Sequence, residues 1–424
     1  IRDRVYRAYV VPGESAPPDA VAILEAVTQA CVTANPRLLD ELEYLRDLAL
    51  GRLGSRESGR RAEFDERFAQ TCGPVMAKGV EDTTFYRWLR LAALNEVGGS
   101  PDHGAVYPDD LHAWASRQQA THPSAMTALS THDTKRSEDV RARLVTLTEV
   151  PQAWAEAMQG WRTAAGGYRS SHGWPDPETE YLLWQTMVGA WPIGSDRLTA
   201  YLLKAAREAK RHTTWTDPVP SYESALRDFV AAVLDDAAIV DSVAAFVTAI
   251  EPWARVATLS SKLLSLTLPG VPDVYQGCEL TDRSLVDPDN RRDVDFDRRR
   301  SRLARLDAGG LPVDLDDEKL LVVSTALRLR RDQPDWFGPG GEYSPLATTS
   351  THAFGFVRAG RVASVVTRRP ADLASKGGWQ EAHVVLPPGG WRSALTGTRV
   401  SGGAVPAADL VESLSVDLLV RDDA

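Results

Sequence analysis

Cysteine is scarce: the 424 residues hold three, Cys31, Cys72 and Cys278, odd in number, far apart and in no CxxC pair. That excludes a disulfide framework, indicates no zinc site, and fits a reducing, cytoplasmic setting. No apolar run approaches the roughly 20 residues that a membrane helix needs, and no cleavable signal opens the chain. An excess of basic charge is lacking as well, since 48 Lys and Arg face 58 Asp and Glu, a net charge of -10. Surfaces that seek phosphate are basic, so neither nucleic acid nor a membrane is an expected partner. A neutral, polar small molecule fits better. There is no internal repeat and no low-complexity tract. An initiator Met is also missing: the chain opens on IRDRVYRAYV, where VYRAYV reads as a strand running out of something earlier, so the expectation is a fragment of a longer protein.

What is present is ordinary globular material, 43% hydrophobic and 25% charged, long enough for two or three cores. Its 12 Trp and 11 Tyr are a weak pointer to carbohydrate. Flat aromatic faces stack on the apolar faces of sugar rings while nearby polar groups take the hydroxyls, but core packing accounts for most Trp residues in any large protein.

Residues 19–53 place Ile23, Ala26, Leu38, Leu39, Leu42, Leu45 and Leu48 at helical spacing, with Pro18 and Pro36 as starts or breaks. A Gly-, Ser- and Arg-rich stretch at 51–61 reads as an exposed turn. GPVMAKGVEDTTFYRW (73–88) then reads as a short strand-like run that ends at Lys78 and Gly79 and leads into a helix with an acidic start at Glu81 and Asp82. The same grammar returns in AMTALSTHDTKRSED (125–139) and again in LTLPGVPDVYQGCEL (266–280). Strands that each end in a polar loop are the pattern of a parallel βα barrel, whose active residues sit at the carboxyl ends of the strands.

Between the second and third runs, helical periodicity recurs at 178–191, 197–211 and 222–250. This is too long for one barrel helix, so a helical subdomain is inserted there. Trp184, Met187 and Trp191 read as a stripe facing its core. From about Tyr343 the texture changes to short alternating strands, HAFGFVRAG, RVASVVTRR, HVVLP and DLLV, which read as a small β-sandwich. The charge runs at 297–302 and 314–319 read as solvated faces.

The segment LSTHDTKRSEDVRARL (129–144) carries the chemistry. It resembles the strand-seven motif of the α-amylase superfamily, glycoside hydrolase family 13, in which a His-Asp pair ends the strand. In its extended form THDTKRSEDVRAR it resembles the maltooligosyltrehalose synthase family within that superfamily. GPVMAKGVEDTTFYRW with LNEVGGSP (94–101) is similar to that family's acceptor-side segment. LPGVPDVYQGCEL with LVDPDNRRDVDF (285–296) is similar to its strand-eight segment and the loop after it, departing at Asp293, where Pro is expected. The resemblance covers nearly the whole chain and is weakest in the inserted helices and the final β domain.

The resemblance implies Asp133 as the catalytic carboxylate that stabilises the transition state, because an oxocarbenium-like ring wants fixed negative charge and strengthening hydrogen bonds to its 2-OH. It implies His132 as a sugar-binding group and Lys78 and Lys135 as cationic donors to hydroxyls near the scissile bond; as plain structure, Asp133 is a helix cap and the lysines face solvent. Glu81, Asp82, Tyr86 and Arg87 line the acceptor pocket on this reading, although an acidic first helical turn explains the first two nearly as well. Tyr275, Gln276, Asp287, Asp289, Asn290, Arg291 and Arg292 form either a polar wall of the glucan cleft or an ion-paired loop closing the barrel. Metals and organic cofactors are not required.

A retaining glycosidase also needs a nucleophile and an acid/base about 5–5.5 Å apart, which in this superfamily end strands four and five. Neither motif occurs; Glu96 in LNEVGG is a poor stand-in, since its neighbours match the acceptor side. The expected fold is therefore α/β, the C-terminal part of a (β/α)8 TIM barrel with an inserted helical subdomain, plus a C-terminal all-β sandwich. The expected boundaries are 1–138 for late barrel strands with a helical insertion, 139–260 for the inserted subdomain, 261–340 for the last barrel strand and helix, and 341–424 for the sandwich. The resemblance implies an isomerase that moves the reducing-end α-1,4 linkage of a maltooligosaccharide to an α,α-1,1 linkage, with the N-terminal half of the same enzyme as the partner that supplies nucleophile and acid/base. An α-glucan hydrolase of the same superfamily and a non-catalytic maltodextrin-binding subunit are the alternatives.

Overall fold

The computed structural model describes residues 6–11, 14–53, 59–101 and 104–422. The opening strand falls partly outside these residues, and its described part, 6–10, is bend and irregular chain rather than strand. Helices α1 (Pro18–Ala34), α2 (Leu39–Ala49) and α3 (Gly59–Met76) follow. The helical periodicity of 19–53 is thus realised, and part of the turn expected at 51–61 lies outside the described residues.

The first expected barrel strand is not one. Residues 73–76 are the end of α3, with Pro74 inside it, and the chain continues through a π-helical turn, Ala77–Glu81. Glu81 and Asp82 therefore end a helical segment instead of starting one. A short apolar run with no strand beside it among the described residues has nothing to complete its backbone hydrogen bonds, so the preceding helix propagates through it.

The other two runs are strands. Helix α4 (Pro108–Thr121) leads into β1 (Met126–Ala128), which pairs parallel with β2 (Val271–Asp273) in the register Met126↔Val271, Thr127↔Pro272, Ala128↔Asp273. Between them run α5 (Glu138–Val145), α6 (Pro151–Ala164), α7 (Pro177–Ala190), α8 (Ser195–Ala209), α9 (Pro220–Asp235) and α10 (Ala237–Thr267). Asp236 divides the run 222–250 in two, because its carboxylate accepts the Ala238 and Ile239 N–H groups and so caps α10. Trp184 and Met187 are fully buried and Trp191 packs against the same core, with Trp161, Leu198 and Phe229.

Helix α10 is 31 residues long and apolar enough, by length and composition, to cross a membrane, although Glu251, Arg255 and Lys262 interrupt its sequence. In the fold it packs against α5, α9, α12 (Leu315–Asp332) and the C-terminal sheet. Helix α11 (Phe296–Asp307) lies before α12.

The charge run at 314–319 is not a solvated face. Asp317 and Lys319 are fully buried. Arg302 reaches Asp317 at 2.7 Å and Arg305 pairs with the same carboxylate. Lys319 lies 2.8 Å from Glu138 and 2.7 Å from Asp139, and Lys262 lies 2.6 Å from Glu138. Alternating charge reads as exposed only when no partner of opposite sign lies across an interface; here α5 supplies one.

The expected two-sheet sandwich is a single antiparallel sheet. Strands β3 (Tyr343–Pro345), β4 (Ala353–Arg358), β5 (Val362–Thr367), β6 (His383–Ser393), β7 (Arg399–Pro406) and β8 (Val416–Arg421) take the order β3-β4-β5-β8-β6-β7. The sheet curls until β6 bridges back to the chain before β4, Thr348 against Val384. The bend is built into β6, whose register shifts between Leu386 and Gly390. Gly402 on β7 permits it, since a Cβ there would meet the Pro387 carbonyl oxygen at 2.1 Å. One face buries Phe354, Phe356, Val366 and Leu418 against α10 and α12; the other closes on Trp391.

Asp417 on β8 sits inside this sheet, accepting from Ser393 Oγ at 2.5 Å and from the Leu418 N–H at 2.8 Å. Burial pushes its carboxyl up to about 6. The folded protein thus holds the proton more tightly than the unfolded chain, so stability falls as pH rises from about 4 to about 6, and the penalty is complete above that. At about 1.4 kcal/mol per pH unit, Asp417→Asn is expected to raise stability at pH 7.5 by up to about 3 kcal/mol, with the gain shrinking toward pH 4. Urea unfolding at both pH values checks this, and an equal effect at both contradicts it.

Candidate active site

The loop between β1 and α5 is shaped by its threonines. Thr134 Oγ1 donates to the Thr131 carbonyl at 2.8 Å, and Thr131 Oγ1 accepts the Asp133 N–H at 3.2 Å. From the loop after β2, Asn290 Nδ2 donates to the carbonyls of Thr131 and His132 at 3.3 and 3.0 Å. With the backbone held on both sides, the His132 and Asp133 side chains point outward, 62% and 68% exposed, with Nε2 and Oδ2 3.4 Å apart. The acid is therefore no helix cap tied down by backbone amides.

Every residue after Thr134 in the motif points inward. Glu96, buried, takes the backbone N–H groups of Lys135 and Arg136 at 2.8 and 3.1 Å, which makes it the clamp of this loop. Lys135 is 6% exposed and donates to Asp82 Oδ1 at 2.8 Å; it does not face solvent freely. Arg136 donates to Tyr201 Oη at 2.6 Å and to the Ala92 carbonyl at 3.1 Å. The Ser137 N–H reaches the Ser284 carbonyl at 3.0 Å. The Asp139 carboxylate takes the Asp282 N–H at 2.7 Å.

The π-helical turn sets Lys78 and Asp82 one turn apart, in an ion pair. Against the penalty of burial, Lys135 and Lys78 together hold the Asp82 carboxyl below the usual carboxylate range. The Lys78 side chain is 74% exposed; its ammonium is raised by Asp82 first, with a weaker contribution from Asp133. Tyr6 donates to Glu81. Burial first, and then the Glu81 bond, pushes the Tyr6 hydroxyl up to about 12, and Asp133 adds to the shift. Lys78, Glu81, Asp82 and Tyr6 thus surround the Asp133 loop. Tyr6 was not among the expected site residues, because nothing in VYRAYV marks one aromatic over another.

Two further expected acceptor-side residues are held within the helical region. Tyr86 is buried in the helical core, and Arg87 donates to the Ala209 and Lys210 carbonyls at the end of α8. A helix C-terminus carries unsatisfied carbonyls that a guanidinium meets well.

The loop after β2 is ion-paired. Asp289 receives both guanidinium arms of Arg197 at 2.8 Å and the Leu285 N–H at 2.7 Å, and lies 3.2 Å from Arg292. Arg291 pairs with Asp287. Tyr275 Oη donates to the Asn290 carbonyl at 3.1 Å, and Gln276 is exposed beside it. A cleft of about 530 Å³ opens between this loop and α8. Among the described residues, no group of three or more His, Cys, Asp or Glu side chains converges as a metal site.

Parallel strands with polar loops at their carboxyl ends, joined to long helices and a curled antiparallel sheet, make this an α/β enzyme fold. No family model matches the chain. Proteins of two Mycobacterium tuberculosis strains, CDC 1551 / Oshkosh and ATCC 25618 / H37Rv, named maltooligosyl trehalose synthase, are 41% identical over 375 residues, 86% of this chain and 46% of the relative. The structure of maltooligosyltrehalose synthase from Arthrobacter ramosus superposes with a TM-score of 0.87 at 40% identity, covering 98% of this chain and 52% of that one. A hypothetical maltooligosyl trehalose synthase of Sulfolobus tokodaii gives 0.75 at 27% identity, over 98% of this chain and 52% of its own. The chain is a relative of the maltooligosyltrehalose synthases, and it spans about half the length of the proteins it matches.

The two lysines beside Asp133 differ in burial, and their stability effects should differ accordingly. Lys135→Ala is expected to cost about 1.5–3 kcal/mol, the range for a lost hydrogen bond to a charged group. Lys78→Ala should stay within about 0.5 kcal/mol, as exposed pairs do. Thermal melts of the two variants check the contrast, and equal losses contradict it.

Proposed function

We propose that these residues form the late part of a barrel active site in an α-amylase-superfamily, family 13 isomerase, a (1→4)-α-D-glucan 1-α-D-glucosylmutase. It converts the reducing-end α-1,4 linkage of a maltooligosaccharide to an α,α-1,1 linkage by intramolecular transglycosylation. The observation that carries the reading is the outward-facing His132–Asp133 pair on a loop whose backbone is held by Glu96 on one side and Asn290 on the other.

In this mechanism Asp133 supplies the fixed negative charge that a flattening, oxocarbenium-like ring requires, and His132 binds hydroxyls of the same sugar. Preorganisation is what makes such a charge effective, and the Thr131–Thr134 turn and Asn290 provide it. Lys78 is open to a ligand, and Lys135 spends one N–H on Asp82 and keeps the others for sugar hydroxyls. Glu81 and Asp82 complete that side. The nucleophile and the acid/base of a retaining mechanism come from protein outside these residues. A freed glucose, held in a closed pocket, turns and presents its anomeric hydroxyl to the glycosyl-enzyme; exclusion of water separates this outcome from hydrolysis. The domain boundaries at 138, 260 and 340, the cytoplasmic location, and maltooligosaccharide as the partner with no nucleic acid or membrane belong to the same proposal.

Incubating the full-length protein with maltopentaose tests it. Reducing ends are expected to disappear without shortening of the chain, whereas new reducing ends indicate a hydrolase and sink the isomerase reading. Asp133→Asn should lower kcat at least about 100-fold, the scale for one transition-state group, with an unchanged melting temperature. Turnover within about tenfold of wild type removes Asp133 from the catalytic role.

A further inference from the structure

Trp215 is the largest side chain of the helical region left in the open, at 53% exposure. It is fixed there, not loose. Its indole N–H donates to Glu208 Oε1 at 2.9 Å, and the Arg207 guanidinium sits 4.9 Å from the ring centroid. The turn beneath it closes through the Asp217 N–H, which donates to Thr214 Oγ1 at 2.8 Å. The ring borders the cleft between α8 and the loop after β2, whose volume of about 530 Å³ lies within the roughly 300–1,000 Å³ of small-ligand sites.

The cleft's charges identify what it takes. Arg197 and Arg292 share the Asp289 carboxylate, and Arg207 pairs with Glu223 at 2.6 Å. Asp287 is met by Arg291. Most of these charges are thus met within the protein, and a hydroxylated ligand finds donors: Lys204 gives one N–H to the Asp287 carbonyl at 2.5 Å and has others to offer. A rigid, half-open aromatic ring beside spare N–H donors is a surface for a sugar ring. The same loop that walls the cleft, through Asp287 and Asp289, holds the Asp133 loop through Asn290 on its other side.

We propose that this cleft binds an α-1,4-glucan segment, the part of a maltooligosaccharide remote from the bond that is rearranged, with Trp215 as its stacking platform. The occupant rests on the function proposed above. The cleft thereby lets the protein prefer long chains over short ones without any change at the reacting end.

In the full-length protein, Trp215→Ala should raise KM for maltoheptaose roughly 3- to 10-fold, the size of one lost aromatic contact, while kcat and the KM of the shortest chain turned over stay unchanged. A purely structural role moves both chain lengths alike, and that result overturns the proposal. Calorimetric titration of maltoheptaose into Asp133→Asn, with and without Trp215→Ala, reads binding apart from turnover. Equal affinity of the two variants, or no binding to either, overturns the cleft even where wild type rearranges maltopentaose. Weaker binding with Trp215→Ala supports it even where the rearrangement fails, so the two proposals fall separately.

Discussion

Beneath the exposed His132–Asp133 pair, Glu138 and Asp139 on α5 meet Lys262 on α10 and Lys319 on α12, all four almost wholly buried. Charges taken out of water cost several kcal/mol each unless they find partners and hydrogen bonds, and here they do. Lys319 also donates to the Leu280 carbonyl at 3.0 Å, and Asp139 accepts the Asp282 N–H. Burial pushes the Asp139 carboxyl up, while against the same burial the two lysines hold Glu138 down. Despite burial, Asp139 and Glu138 hold the Lys319 ammonium above its ordinary range. The cluster can exist only if α5, α10, α12 and the chain after β2 keep one arrangement.

That constraint reaches the surface through the motif itself. Once Glu138 and Asp139 are fixed from below, Ser137, Arg136 and Lys135 have polar walls of their own: Ser284, Tyr201 and Ala92, Glu96 and Asp82. Among the described residues, nothing comparable reaches the side chains of His132 and Asp133, which meet each other. A loop anchored through so many of its neighbours presents these two exposed side chains in a fixed geometry, which is what a site complementary to a transition state needs. The specificity of THDTKRSED is therefore mostly the specificity of a mounting, with two residues for chemistry and the rest for anchorage.

Much of this was legible in the residues. Parallel strands at Met126–Ala128 and Val271–Asp273, the helices between them and the β character of the last 80 or so residues follow from periodicity and turn chemistry, as does the inward stripe of Trp184 and Met187. What was not legible depended on partners distant in the chain. The run GPVM matches a strand in composition, yet it has no described neighbour to pair with. Asp317 and Lys319 look solvated until Arg302 and α5 are placed against them. Arg87 reads as a ligand donor until the end of α8 arrives beside it. The closure of the sheet turns on the bend in β6, which a count of short strands does not contain.

The buried cluster is most directly tested by Lys319→Met, which keeps the volume and removes one charge, leaving Glu138 and Asp139 to share Lys262. Chemical unfolding of the full-length protein at pH 7 is expected to show a loss of about 3–5 kcal/mol, the range for breaking a buried pair. The loss should shrink as pH falls and the buried Asp139 takes up a proton that the unfolded chain releases near its ordinary pKa. Stability within about 1 kcal/mol of wild type, or a loss that does not change with pH, would contradict the claim that these four charges hold the Asp133 loop in place.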